Sequence, residues 1–286
     1  MNKVGIIGTG AIGLPIAQRM IDGNLNLLFY ARNSKVINLL VDCGGKFIDS
    51  VEELGEACDK VFLFVKNFDD CMDCIKKLLV KMRDGIIVIG ATISPEEIMV
   101  LENKCKGNNV SLISAPVTGG VRGAVSGTLT TMVSGNINTV ETLKPVFNTY
   151  CSKIVYMGNE LKSAFVMKSL VQFLVGINTV ALAETFVLGE GNGLSREQIY
   201  DVICSSAGAS KIFENRGRRI IQGDYAKQGT IEILNKDLNI VHEIAKNTGV
   251  PVFLESVVVK LFNVANVKLN NQEDFNAIIK LYDKFN

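Results

Sequence analysis

Gly8-Thr9-Gly10-Ala11-Ile12-Gly13 is a G-x-G-x-x-G run. It follows a short apolar run, Val4 to Ile7, and opens a helical pattern, Leu14 to Asp22. In that context the motif reads as a dinucleotide-phosphate turn. Gly8 makes the tight turn, Gly10 lets the backbone approach a pyrophosphate, and Gly13 lets the helix pack closely on the strand. The helix start, at Ala11 and Ile12, then offers its N–H groups to the anion. The next strand ends in Tyr30-Ala31-Arg32-Asn33-Ser34, with no acid before Asp42. A carboxylate at that strand end would hold a ribose 2′-hydroxyl. Arg32 can instead face a 2′-phosphate, with Asn33 and Ser34 as further donors. The pattern therefore favours NADP over NAD.

Two other stretches carry chemistry. Lys168 stands in Phe165-Val166-Met167-Lys168-Ser169-Leu170, with apolar neighbours on both sides. Desolvation disfavours a charged lysine and brings it nearer the range useful for proton transfer. A snorkelling lysine at a helix start fits the same residues. Thr118-Gly119-Gly120 joins a hydroxyl to two adjacent glycines, a nest able to bind an anion. A tight structural turn is the plainer reading.

The elements that must position these residues fall into two halves. Leu25 to Tyr30, Val61 to Val65, Ile86 to Ile89, Leu112-Ile113 and Thr128 to Val133 read as strands, with helical patterns between the earlier ones. The continuous apolar runs suit parallel strands buried on both faces. Alternating βα units imply a Rossmann-type doubly wound α/β sheet domain. Beyond Gly158 the strand runs stop, and an all-α domain is expected. Its helical patterns cover Ser163 to about Asn192, Ser195 to about Ser205, Lys211 to Ile221, Leu234 to Thr248, Leu254 to Val267 and Asp274 to Phe285. Capping boxes open helices at Ser94 and Ser195. The domains are expected at 1–160, binding NADP, and 161–286, serving substrate and dimerisation.

Composition removes several classes. Lys plus Arg is 30 against 29 for Asp plus Glu, so nothing favours nucleic acid or an anionic membrane. A chain with a single His, His242, makes a His-based metal site or a Ser-His-Asp triad very improbable, and no metal is expected. Its seven cysteines are scattered, and Cys71-x-x-Cys74 has no second pair at zinc spacing. They read as reduced thiols of a cytoplasmic protein. No apolar segment with a cleavage site begins the chain. Ser169 to Ala183 is apolar but short for a membrane span and reads as a buried core helix. His242 reads as an exposed helical residue.

Ser114-Ala115-Pro116-Val117-Thr118-Gly119-Gly120-Val121-Arg122-Gly123-Ala124, then Gly127-Thr128-Leu129-Thr130-Thr131-Met132-Val133, resembles a signature of the β-hydroxyacid dehydrogenases. That family includes 3-hydroxyisobutyrate dehydrogenase and tartronate semialdehyde reductase, and its members usually read DAPVSGG-xx-GA-xx-GTLTIMVGG. Lys168, Gln172 and Asn235-Lys236-Asp237-Leu238 match later family features in the right order. The resemblance covers nearly the whole chain. It implies that Lys168 is the general acid/base at the substrate hydroxyl. It implies that Thr118, Gly119 and Gly120 hold the substrate carboxylate, with Gln172 beside them. It implies that Lys236 and Asp237 approach the nicotinamide end, and that Thr92 sits near the nicotinamide ribose. Val65 and Lys66 occupy the cofactor-facing loop, Lys66 where the family commonly has Pro. Lys211 is a candidate for a distal carboxylate of the substrate, against a plain surface lysine.

Ser114 replaces the usual Asp, Thr118 a Ser, and Val171 an Asn, which bears on the substrate more than on the reaction. The resulting expectation is an NADP-dependent oxidoreductase that interconverts a small 3-hydroxy acid and its semialdehyde. A non-catalytic NADP-binding protein on the same fold is the alternative from another class, and Lys168 favours the enzyme. Imine reductases, which typically replace this lysine, are a further alternative. A decarboxylating 6-phosphogluconate dehydrogenase has a much longer helical half. The helix beginning at Ser163 is apolar around much of its circumference, more than one sheet domain can cover. A homodimer or homotetramer is therefore expected.

Overall fold

The computed structural model describes residues 3–282, in which the chain forms two compact units, 1–168 and 169–286. The division falls inside one helix.

Unit 1 opens with β1 (Val4–Ile7), α1 (Gly13–Asp22), β2 (Leu27–Tyr30), α2 (Ser34–Asp42), β3 (Lys46–Phe47), α3 (Val51–Ala57), β4 (Lys60–Leu63), α4 (Phe68–Lys81), β5 (Ile86–Ile89), α5 (Pro95–Lys106) and β6 (Ser111–Ser114). The six strands form one sheet in the order β3-β2-β1-β4-β5-β6, every pair parallel. Neighbours reverse direction around β1, so the crevice beyond the carboxyl ends of β1 and β4 is the topological switch point where such sheets bind ligands. Apolar cores lie on both faces. One gathers α3, α4 and α5 residues such as Leu54, Ile75 and Leu101; the other gathers Ile16, Met20 and Phe147. This double burial is why the strand runs are apolar throughout.

The chain continues through β7 (Val117–Thr118), α6 (Gly120–Ser126), β8 (Leu129–Val133), α7 (Ile137–Tyr150) and β9 (Cys151–Tyr156). Here the reading of one sheet needs correcting. β8 belongs to a separate three-stranded sheet, antiparallel to β7 and parallel to β9. Val117 and Thr118 pair antiparallel with Thr131 and Thr130, and β9 adds parallel on the other side, so β8 is built into this second ladder. One backbone bridge, Ser114 to Ser134, joins the two sheets. Strands β3 and β9 carry no sequence signal strong enough to anticipate them.

The helix α8 (Lys162–Glu190) runs from unit 1 into unit 2, followed by α9 (Arg196–Cys204), α10 (Lys211–Ile221), α11 (Ile231–Thr248), α12 (Phe253–Lys268) and a 3-10 helix, Phe275–Leu281. Among the described residues, α8 alone is long and apolar enough to cross a membrane by length and composition. Its ends are core, with Ala164, Phe165, Leu182, Ala183 and Phe186 fully buried. Its middle is less covered than a buried core helix would be, since Leu170 and Leu174 are exposed.

The last element departs from the expected α-helix over Asp274 to Phe285, of which 283–285 lie outside the described residues. Phe275 through Ile279 are all buried, five consecutive positions that an amphipathic α-helix could not hide together. Asp274 organises the segment. Its buried carboxylate lies 3.1 Å from Arg216 and 3.1 Å from Arg219, and accepts the Gly229 N–H at 3.0 Å. Arg219 also binds Asp224, whose carboxyl it holds down at about 2.

Candidate active site

The β-ladder aligns Tyr30, Ile7, Leu63, Ile89 and Ser114 as neighbours across the main sheet. The residues singled out in unit 1 follow directly from these strand ends. Arg32-Asn33-Ser34 follows β2, Gly8 to Gly13 follows β1, and Val65-Lys66 follows β4. Thr92 follows β5, whereas Thr118-Gly119-Gly120 begins at the end of β7 in the second sheet. Parallel register therefore brings four separate sequence stretches, those after β2, β1, β4 and β5, to one edge.

At the switch point the glycines are dictated by space. Gly8 has φ +94°, and a β-carbon there would lie 2.5 Å from the Phe64 carbonyl carbon and oxygen. A β-carbon on Gly13 would overlap the Gly8 carbonyl oxygen. At Gly10 nothing lies within 4 Å of that position, so this glycine borders open space. The helix it leads into is equally telling. Side chains of Asn33, Ser50, Asn67, Ser94 and Asn136 cap α2, α3, α4, α5 and α7. No side chain caps α1. An uncapped helix start of this kind can offer N–H groups, here at Ala11 to Gly13, to an anion. A steric cradle with an uncapped helix behind it fits a dinucleotide pyrophosphate.

Arg32 is exposed just past β2. Asn33 accepts the Lys35 N–H through Oδ1 at 3.0 Å, so its side-chain oxygen serves as the cap of α2 and only its amide nitrogen fits the expected donor role. Ser34 is the first residue of α2 and exposed. Lys66 is exposed, and Val65 and Thr92 are half-buried.

The Thr118 turn has the backbone of a nest. Gly119 and Gly120 take φ +126° and +64°, which L-residues with side chains rarely adopt. The helix that follows, α6, also lacks a side-chain cap. Lys168 lies in α8 within the same unit and is 7% exposed.

Unit 2 assembles its own polar group. Gln172 Nε2 donates to Asp237 Oδ2 at 2.7 Å, and the Lys236 ammonium lies 3.1 Å from Asp237 Oδ1. Asp237 is 3% exposed. Gln172, expected at the substrate, is thus joined to Asp237, expected at the cofactor. That pairing, 65 positions apart in sequence, has no sequence signal. Lys211 is exposed at the start of α10. His242 is exposed on its helix, as read, and lies 2.9 Å from the buried carboxylate of Glu255.

The cysteines form no disulfide. Burial pushes Cys58 and Cys151 up to about 12, and Cys74 and Cys105 up to about 11. Such thiols stay protonated at neutral pH and are poor nucleophiles. Among the described residues no group of three or more His, Cys, Asp or Glu could hold a metal ion.

Residues 3–158 match the family model described as the NAD binding domain of 6-phosphogluconate dehydrogenase. Residues 163–282 match the model described as NAD-binding of NADP-dependent 3-hydroxyisobutyrate dehydrogenase. The chain is 30% identical to L-threonate dehydrogenase of Cupriavidus necator, covering 98% of this chain and 96% of that one. It is 25% identical to 2-(hydroxymethyl)glutarate dehydrogenase of Eubacterium barkeri, over 99% and 95%. The solved 3-hydroxyisobutyrate dehydrogenase of Salmonella typhimurium superposes with TM-score 0.91 at 27% identity, over 98% and 100% of the two chains. An imine reductase from Pseudomonas sp. shares the fold more distantly, with TM-score 0.66 at 16% identity over 98% of each chain.

The glycine geometry separates two effects. Gly10→Ala should fold normally but lose NADPH affinity, because its β-carbon enters the ligand's side of the turn. Gly13→Ala should lose both affinity and thermal stability. Paired melting curves and fluorescence titrations check this, and equal stability loss in both variants would count against the assignment.

Proposed function

The chain belongs to the β-hydroxyacid dehydrogenase family, and on that premise we propose that it uses NADP(H) to interconvert a small 3-hydroxy acid and its semialdehyde. Its two matched domains make it an NAD(P)-binding hydroxyacid dehydrogenase. The observation that carries the finer reading is a lysine 7% exposed in the unit that also holds the double-glycine turn.

Gly8 to Gly13 would hold the pyrophosphate, Arg32 with Asn33 and Ser34 the 2′-phosphate, and Val65, Lys66 and Thr92 the remainder along the strand ends. A bound nicotinamide supplies the hydride. The N–H groups of the Thr118-Gly119-Gly120 turn bind the substrate carboxylate, which fixes the carbonyl relative to Lys168. Lys168 Nζ then gives a proton to the carbonyl oxygen as it becomes a hydroxyl, and takes it back in the oxidative direction. Two-point fixation of this kind lowers the entropic part of the barrier. The relatives named for L-threonate and 2-(hydroxymethyl)glutarate place polyhydroxy and dicarboxylic acids in the substrate panel, with Lys211 the group to examine for a second carboxylate. The Gln172–Asp237–Lys236 group is the part of unit 2 we assign to the reaction. The absence of disulfides suits a cytoplasmic setting.

We also propose a homodimer or homotetramer. On α12, Phe253 is 84% and Val267 79% exposed, with Val257 and Val264 also exposed along the same stripe. A second copy of the chain is the proposed cover.

Lys168→Ala should cut turnover by about 10²–10⁴, the usual worth of a positioned general acid, and leave NADPH affinity intact. Steady-state assays across 3-hydroxyisobutyrate, L-threonate and 2-(hydroxymethyl)glutarate test it; more than a tenth of wild-type turnover would exclude Lys168 as the donor. Turnover by the unaltered protein on no hydroxy acid, with tight NADPH binding, would favour the non-catalytic alternative. Arg32→Ala should weaken NADPH binding roughly 10- to 150-fold, the worth of one charge-assisted contact, and leave NADH nearly unchanged. Equal affinity of the unaltered protein for both cofactors would refute the preference. Light scattering at micromolar concentration should give an even multiple of 31.1 kDa; a single-chain mass would refute assembly.

A further inference from the structure

Two fixed points in unit 1 carry the proposed chemistry, the Thr118-Gly119-Gly120 turn and Lys168. The buried Ser134 is hydrogen-bonded to the segments that lead to each. Ser134 follows β8 and is 0% exposed. Its Oγ accepts the Ala164 N–H at 2.8 Å. Ala164 is in the first turn of α8, where backbone N–H groups have no acceptor within the helix. Ser134 therefore caps α8 from a different element.

The backbone of Ser134 is held on the other side. Its N–H donates to the Ser114 carbonyl at 2.9 Å, and the Ser114 N–H donates back at 3.0 Å. Ser114 ends β6 and leads through Ala115-Pro116 into the Thr118 turn. That lead-in is pinned again, since Met132 N–H donates to the Pro116 carbonyl at 3.1 Å and Thr131 Oγ1 to the Ala115 carbonyl at 3.3 Å. Thr118 itself pairs with Thr130. By α-helical pairing the Lys168 N–H bonds the Ala164 carbonyl. A short, buried path thus runs from the double-glycine turn through Ser134 to the turn of helix below Lys168.

We propose that Ser134 is a positioning residue whose hydroxyl sets the reach of Lys168 from the carboxylate-holding turn. This rests on the reading of Lys168 as the proton donor.

The test crosses Ser134→Ala with Lys168→Ala in the full chain, using NADPH and the best substrate of the panel. Ser134→Ala should keep NADPH affinity within about twofold and substrate KM within about threefold, and lower kcat about tenfold, as expected when a reacting group is misplaced. The limb of the kcat–pH profile assigned to the proton donor should move with it. In the Lys168→Ala background the same change should have no further effect on kcat. An unchanged kcat with a lowered melting temperature would show a plain helix cap and overturn the proposal. So would an equal fall in both backgrounds, or a rise in KM alone. Near wild-type turnover of Lys168→Ala by itself would instead remove the lysine reading, and this proposal with it. If Ser134→Ala melts below assay temperature, Ser134→Cys, a weaker acceptor of similar size, carries the same comparison.

Discussion

Contact of backbone with backbone at the β1–β4 switch point is the constraint on which unit 1 depends. Gly8 lies so close to Phe64 that no β-carbon fits, and Gly13 lies as close to Gly8. The tight turn lets α1 start at the crevice with its N-terminus toward the strand ends. From there the parallel register does the rest, carrying the loops after β2, β4, β5 and β6 to the same edge. A ligand reaching from the phosphate turn meets residues contributed by strands far apart in sequence.

Hydrogen-bond satisfaction divides the helices of unit 1 into three kinds. Most in unit 1 begin under an Asn or Ser cap, which uses up donors and closes that end to ligands. α1 and α6 begin without one, and both begin at glycine-rich turns. α8 is a third kind, capped by a serine that follows β8. The capping pattern thus distinguishes helix starts closed by a side chain from those without one, and marks α8 as tied to the strand system.

Unit 2 is stabilised differently. Its helices share one apolar core, and its terminal segment is bound through Asp274 to Arg216 and Arg219. A carboxylate buried at 0% exposure is tolerated only because it is paired and accepts further hydrogen bonds. Removing any one partner would strand a charge in the interior. The apolar stripe left on α12 shows that this core does not absorb all the hydrophobic surface the helices carry.

The sequence by itself was enough for the phosphate turn, the Rossmann-type sheet followed by helices, the capping boxes and the family. Each of these is local, written in the spacing of glycines, apolar runs and cap residues within a few positions of one another. Glycines at 8 and 13 were legible because the turn admits nothing else. What only the tertiary structure decided depended on groups distant in the chain. The removal of β8 to a second sheet followed from its pairing with β7 and β9, which no strand propensity records. The 3-10 end followed from Asp274 meeting two arginines more than fifty residues earlier. The pairings of Gln172 with Asp237 and of Ser134 with Ala164 are likewise invisible in sequence. A hydrogen bond between remote side chains leaves no periodicity, and burial, which makes such a bond matter, is a property of the folded whole.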